Sequence, residues 1–235
     1  MQPLEDLEAL YRDHHESVRD RRFVFAEPER RELFRRHVGG PGRRVLDVGC
    51  RAGALTRSYL EGNDVVGVDV DREALEEAAD LGITTVWADA QRPLPFRDES
   101  FDVVVAGEVL EHLADPAAFL AEAHRLLRPG GTLVGSVPNG YRLKNRLTFL
   151  LGRNPSDDPT MLQLLSPADL LRLLRAFEDA RLEFVASRLI RLHRRLMANV
   201  IVFSALKPER TRFRADRPRA QAPASPPAVD DDRAA

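Results

Sequence analysis

Apolar positions along the chain follow two rhythms. From Leu4 to Val38 they recur every three or four residues among mixed charges, then stop at Gly39-Gly40-Pro41-Gly42. This pattern predicts one or two helices that flank a core and end at a breaker. Beyond the breaker, short apolar runs alternate with helical stretches: RVLDVG then ALTRSYL, DVVGVD then REALEEAADL, TTVWAD, FDVVVAG then PAAFLAEAHRLL, and GTLVGSVP. Strands separated by crossover helices lie parallel in one sheet, so the alternation predicts an α/β fold. In SPADLLRLLRAF, Ser166 is placed to cap a helix, with Pro167 in its first turn and Asp169 behind it. LEFVASRLI and NVIVFSAL then follow as two strands without a long helix between them, which predicts an antiparallel closure of the sheet. The stretch 139–165 reads as an insertion, and the polar, Pro- and Ala-rich stretch 208–235 as a disordered tail. Residues 1–42 form the helical flank and 43–207 the core.

Composition narrows this picture. With 235 residues, 43% of them hydrophobic, the chain is long enough for one sizeable core. A formal net charge of -2 argues against a wholesale nucleic-acid binder. The late region is locally basic, from Arg181 to Arg219, but lacks interleaved aromatics and reads as solvated surface. Cys50, the single cysteine, has no partner for an internal disulfide. The charged N-terminus has no secretory pattern, and no run approaches the ~18 apolar residues of a membrane span, so a cytoplasmic protein is expected.

The candidate chemistry lies at the strand ends. In an open α/β sheet, ligands bind at the carboxyl ends of the strands. Four successive ends here are acidic: Asp47, Asp69, Asp89 and Glu108. A carboxylate closing the second strand suits a ribose diol, whose two hydroxyls it can accept. The first strand runs into the turn Gly49-Cys50-Arg51-Ala52-Gly53. A pyrophosphate-binding loop needs G-x-G-x-x-G, whereas Arg51 stands at the second glycine position here and no third glycine follows. That departure disfavours a nicotinamide cofactor.

The segments VLDVGCRAG, VVGVDVD, ADAQRPLPFRDESFDVVVAGEVLEHL and RLLRPGGTLVGSVPN resemble, in order and spacing, the class I S-adenosylmethionine-dependent methyltransferases. The resemblance implies a Rossmann-like, doubly wound, mostly parallel seven-stranded sheet with an antiparallel last strand. It also implies S-adenosylmethionine as cofactor. Gly49 and Gly53 would let the turn approach its methionine part, Asp69 would hold its ribose, Asp89 with Ala90 would meet its adenine and Val70 would pack on the purine face, with Asp47, Cys50, Arg51 and Glu108 also in the cofactor site. Because the guanidinium of Arg51 would be repelled by a sulfonium, the cofactor's carboxylate is the partner expected for it.

Glu108, Glu111 and His112 stand at i, i+3 and i+4, one face of a helical turn. His112 is the candidate general base for a hydroxyl acceptor, and Glu111 the residue that orients or replaces it. The same E-x-x-E-H pattern is similar to the metal ligands of small-RNA 2′-O-methyltransferases and some quinone O-methyltransferases, but no further ligand is assignable and no metal site is expected. In the insertion, Tyr141, Arg142, Lys144 and Asn145 are candidates to meet a polar acceptor, while Leu143, Leu147, Phe149 and Leu150 read as the apolar face of a helix. The expected activity is O-methylation of a small-molecule acceptor. RNA 2′-O-methylation and non-catalytic cofactor binding are the alternatives.

Overall fold

A computed structural model describes residues 4–17, 27–154, 158, 160–185 and 194–209. Seven strands form one sheet: β1 Arg44–Val48, β2 Asp64–Asp69, β3 Thr84–Trp87, β4 Phe101–Gly107, β5 Leu127–Pro138, β6 Glu178–Val185 and β7 Val200–Leu206. Their order is β3-β2-β1-β4-β5-β7-β6. β1 through β5 run parallel, and β7 pairs antiparallel with both β5 and β6. Successive strands are added on one side of β1 up to β3 and on its other side from β4, so a crevice opens between β1 and β4 at the carboxyl ends.

Among the described residues seven helices accompany the strands: α1 Leu4–Ser17, α2 Glu27–Val38, α3 Arg72–Ala79, α4 Pro116–Leu126, α5 Leu143–Leu150, α6 Pro167–Leu173 and the short α7 Arg194–Met197. One face of the sheet is covered by Phe119, Leu120, Ala123 and Leu126 of α4 and Leu170 of α6. On the other face lie Leu33, Phe34 and Val38 of α2 and Ala78 of α3. The central strands are therefore apolar on both faces, as parallel strands must be. α2 enters the core directly, with Phe34 fully buried. α6 starts as its sequence predicts: Ser166 Oγ accepts from the Asp169 amide, and the Asp169 carboxylate accepts from the Ser166 amide.

The helix expected in ALTRSYL is a departure. Between β1 and β2 the chain makes only a 3-10 turn, Thr56–Ser58. Gly49, Arg51 and Gly53 all adopt positive φ (74, 49 and 72°), and Ser58 Oγ donates to the Leu55 carbonyl at 2.7 Å. Left-handed residues cannot propagate a right-handed helix, and a serine bonded back to the backbone competes with one. β6 also begins at Glu178, earlier than the apolar run LEFV suggests. The tail beyond Glu209 and most of the late basic region lie outside the described residues. Lys207, counted with that region, is instead buried: its ammonium donates to the Leu127 carbonyl at 2.7 Å and lies 3.7 Å from Glu99. No described helix is long and apolar enough to cross a membrane.

Candidate active site

A cavity of about 150 Å³ opens at the carboxyl ends of β1, β2 and β4. Its walls include Asp47, Gly49, Cys50, Arg51, Asp69, Val70, Asp89, Ala90, Glu108 and His112, all candidates from the sequence. Gly53 and Glu111, also candidates, are not on its walls. A Cβ at Gly53 would lie 2.8 Å from Ile83 Cδ1 and 2.9 Å from Leu81 Cδ1, so this glycine serves close packing of the turn against the loop before β3. A Cβ at Gly49 would meet Val109 Cγ2 at 2.6 Å.

Backbone amides orient the strand-end carboxylates. Asp69 accepts from the Arg51 amide at 2.8 Å and the Asp71 amide at 3.0 Å, one bond on each oxygen. Asp89 accepts from the Gln91 amide at 2.8 Å. A carboxylate oxygen carries two lone pairs, so one backbone amide does not use up its capacity to accept a ligand hydroxyl or amine. Asp47 lies deeper, where its Oδ2 accepts from Thr56 Oγ1 at 2.6 Å and from the Tyr59 hydroxyl at 2.7 Å. Burial pushes its carboxyl up to about 6, and the two hydroxyl donors only partly oppose this. Cys50 fills the space beside Gly67, where a Cβ would lie 2.6 Å from its sulfur. Burial raises its thiol further above the usual range, so Cys50 is a packing residue rather than a thiolate.

Arg30 and Tyr11 were not legible in the sequence. Arg30 of α2 is 3% exposed, donates to Ser136 Oγ at 2.8 Å, and lies 3.4 Å from Glu108 Oε1. Its Nε is buried and has no hydrogen-bond partner among the described residues. Glu108 itself sits at φ 60°, with its amide bonded to the Ser136 carbonyl. Tyr11 and Leu7 of α1 line the cavity. The Tyr11 hydroxyl is kept protonated by burial and by the carboxylates of Asp69, Glu111, Asp158 and Asp89, so it is a proton donor throughout the neutral range. α1 is tied to the core by Glu8, which accepts from the Arg72 amide at 3.4 Å. Trp87 is not on the cavity walls: its Nε1 donates to the Val70 carbonyl at 2.9 Å, and the Arg72 guanidinium lies 3.6 Å over its ring.

The single face expected for Glu108, Glu111 and His112 does not form. Only Leu110–His112 is helical, as a 3-10 turn, and Glu108 precedes it with left-handed backbone. Glu111 points into the protein, 2% exposed, with Oε1 4.0 Å from His112 Nε2. His112 is oriented instead by the insertion: Nδ1–H donates to the Thr160 carbonyl at 2.9 Å, and Thr160 Oγ1 donates to Asp158 Oδ1 at 2.6 Å. This fixes the tautomer whose Nε2 carries the lone pair. The Tyr11 ring meets His112 edge-on at 6.0 Å.

Of the insertion residues expected to meet an acceptor, none of Tyr141, Arg142, Lys144 and Asn145 lines the cavity; Asp158 and Thr160 do. Asn145 is buried and bonded to Gly140 and Arg142. No three His, Cys, Asp or Glu side chains among the described residues are grouped to hold a metal ion.

A doubly wound sheet with a carboxylate-lined crevice at its switch point defines a nucleoside-cofactor-binding α/β protein. Comparison with known proteins makes this specific. The family model described as "Methyltransferase domain" matches residues 46–135. The chain is 34% identical over 132 residues to a ubiquinone biosynthesis O-methyltransferase of Methylococcus capsulatus, covering 53% of this chain and 55% of that one. It is 32% identical over 180 residues to the protein of that name from Burkholderia pseudomallei, covering 71% and 75%. The chain thus spans about half the length of the first of these relatives. A crystal structure of a Thermotoga maritima SAM-dependent methyltransferase, a possible histamine N-methyltransferase, shares the fold with TM-score 0.65, 18% identity and coverage of 87% and 100%. An Archaeoglobus fulgidus SAM-dependent methyltransferase does so with TM-score 0.64, 21% identity and coverage of 84% and 99%. The chain belongs to the class I S-adenosylmethionine-dependent methyltransferases.

The cavity fits that family's cofactor. Its walls carry the carboxylates of Asp47, Asp69, Asp89, Glu108 and Asp158 against two guanidiniums, Arg30 and Arg51, a balance that suits a sulfonium cation. The buried Arg30 Nε without a partner is a donor of the kind a ligand carboxylate satisfies.

Proposed function

We propose that the protein transfers a methyl group from S-adenosylmethionine to a hydroxyl oxygen of a small-molecule acceptor, with His112 as general base. The observation that carries this reading is the imidazole of His112, held on the wall of the same cavity as Asp69 and Asp89 with its Nδ1–H committed to the Thr160 carbonyl. When bound, the cofactor supplies an electrophilic methyl on a positively charged sulfur. Asp69 accepts the ribose hydroxyls, while Asp89, Val70 and Ala90 surround the adenine. Arg30 takes the methionine carboxylate by a charge-assisted bond. Gly49 and Cys50 let the β1 turn come close, and α1 with Leu7 and Tyr11 excludes water.

His112 Nε2 receives the proton that the acceptor hydroxyl loses as the new O–C bond forms. Glu111, buried near Nε2, stabilises the resulting imidazolium. Positioning supplies much of the remaining acceleration, because the acceptor oxygen must lie in line with the breaking bond. The relatives named for ubiquinone biosynthesis O-methylation support oxygen as the receiving atom.

The test is incubation of purified protein with methyl-labelled cofactor and a metabolite extract, followed by identification of the labelled product. An O-methyl product is expected. His112→Ala is expected to lower kcat by roughly 10²- to 10⁴-fold, the usual contribution of a positioned base, and to leave cofactor affinity unchanged. Labelling on nitrogen or carbon, or unchanged kcat in the variant, would refute the reading.

A further inference from the structure

Helix α5 is turned inside out. At about 100° per residue, Leu143, Leu147, Leu150 and Leu151 fall on one stripe, with Lys144 and Arg146 on its two flanks. This stripe faces solvent, its four leucines 40%, 53%, 82% and 74% exposed. Turned toward the protein is Asn145, 8% exposed, which donates to the Gly140 carbonyl and accepts from Arg142 Nε, both at 3.1 Å. A helix that only packs on its own domain buries its apolar stripe and exposes its amides. Here the amide is bonded inside and the leucines are outside.

The charge around the stripe says what covers it. Although the chain as a whole has 37 acidic and 35 basic residues, the segment from Pro138 to Pro155 has Arg142, Lys144, Arg146 and Arg153 and no carboxylate. An apolar stripe with cations on both flanks matches an anionic lipid interface, where leucines reach the acyl boundary and cationic heads stay at the phosphate level. We propose that α5 docks the protein flat on an anionic phospholipid surface.

The test is flotation of the full chain with phosphatidylglycerol or phosphatidylcholine vesicles at low and high salt. The protein is expected to float with phosphatidylglycerol, to bind phosphatidylcholine roughly tenfold or more weakly, and to be released by salt. Leu147→Glu/Leu150→Glu and Lys144→Glu/Arg146→Glu should each weaken flotation about tenfold or more, because they remove the apolar and the charged half of the match respectively. Both variants should keep the parent's thermal midpoint and cofactor affinity, which separates lost docking from lost folding. No flotation on phosphatidylglycerol, or equal flotation of parent and both variants, would overturn the proposal. So would a parent that ignores vesicles but forms dimers that Leu147→Glu/Leu150→Glu dissociates, since the stripe would then belong to a second copy.

Discussion

Two arginines compete for the cofactor's carboxylate, and their surroundings separate them. Arg51 was expected to reach it from the glycine turn, but its fixed feature is the backbone: φ 49° and an amide bonded to Asp69. Arg30 is the more buried cation, 3% exposed, and Ser136 and Glu108 hold it in place. Arg30→Met should therefore weaken S-adenosylmethionine and S-adenosylhomocysteine alike by about 1.5 to 3 kcal/mol, the worth of a charge-assisted bond, because both carry the carboxylate. Arg51→Ala should have the smaller effect. Titration calorimetry of both ligands decides it, and a larger loss in Arg51→Ala would return the role to the turn. Asp47 offers a second residue-scale test. Burial lifts its folded carboxyl from the ordinary 3.8 to about 6, so between these values the folded protein holds a proton that the unfolded chain has released. This contribution to stability rises as pH falls through about 6 and is lost as pH climbs back. Asp47→Asn should flatten that slope by an amount on the order of 2 to 3 kcal/mol between pH 7 and 4, read as the difference between parent and variant in urea unfolding. Parallel curves would show that Asp47 is not titrating there.

At the scale of elements, the β1 turn is held by its glycine. Gly49 has φ 74°, and a Cβ would press on Val109 Cγ2 at 2.6 Å. Gly49→Ala should cost about 1 to 3 kcal/mol of stability, through strain in the left-handed region together with the clash, as measured by chemical denaturation. An unchanged midpoint would mean that the turn relaxes freely. The strands and the main helices were legible in the sequence because apolar runs such as VVGV and VVVA pack on both faces of a parallel sheet. Where the reading failed, a local competitor won. ALTRSYL has helical spacing, but the hydroxyls of Thr56, Ser58 and Tyr59 bond to Asp47 and to the backbone instead. LKNRLTFL has the spacing of a buried face, but Asn145 is what the protein holds, so the stripe points outward. Periodicity gives the face and not the side on which the face is used.

On the scale of the molecule, the site assembles from parts far apart in the chain. The strand-end acids announced themselves by order and spacing, which is why most of the cavity wall was readable. Tyr11, Arg30, Asp158 and Thr160 were not, because they reach the cavity from a helical flank and an insertion whose placement depends on tertiary packing alone. The central claim is that these parts enclose S-adenosylmethionine with Asp69 at its ribose. Calorimetric titration of the cofactor into the parent protein and into Asp69→Ala tests it most directly, with thermal unfolding as the control for folding. The account predicts one site in the parent and a loss of roughly 2 to 3 kcal/mol in the variant, because two hydroxyls lose a charged acceptor in a partly buried cavity. Equal affinity in a folded Asp69→Ala protein would contradict it.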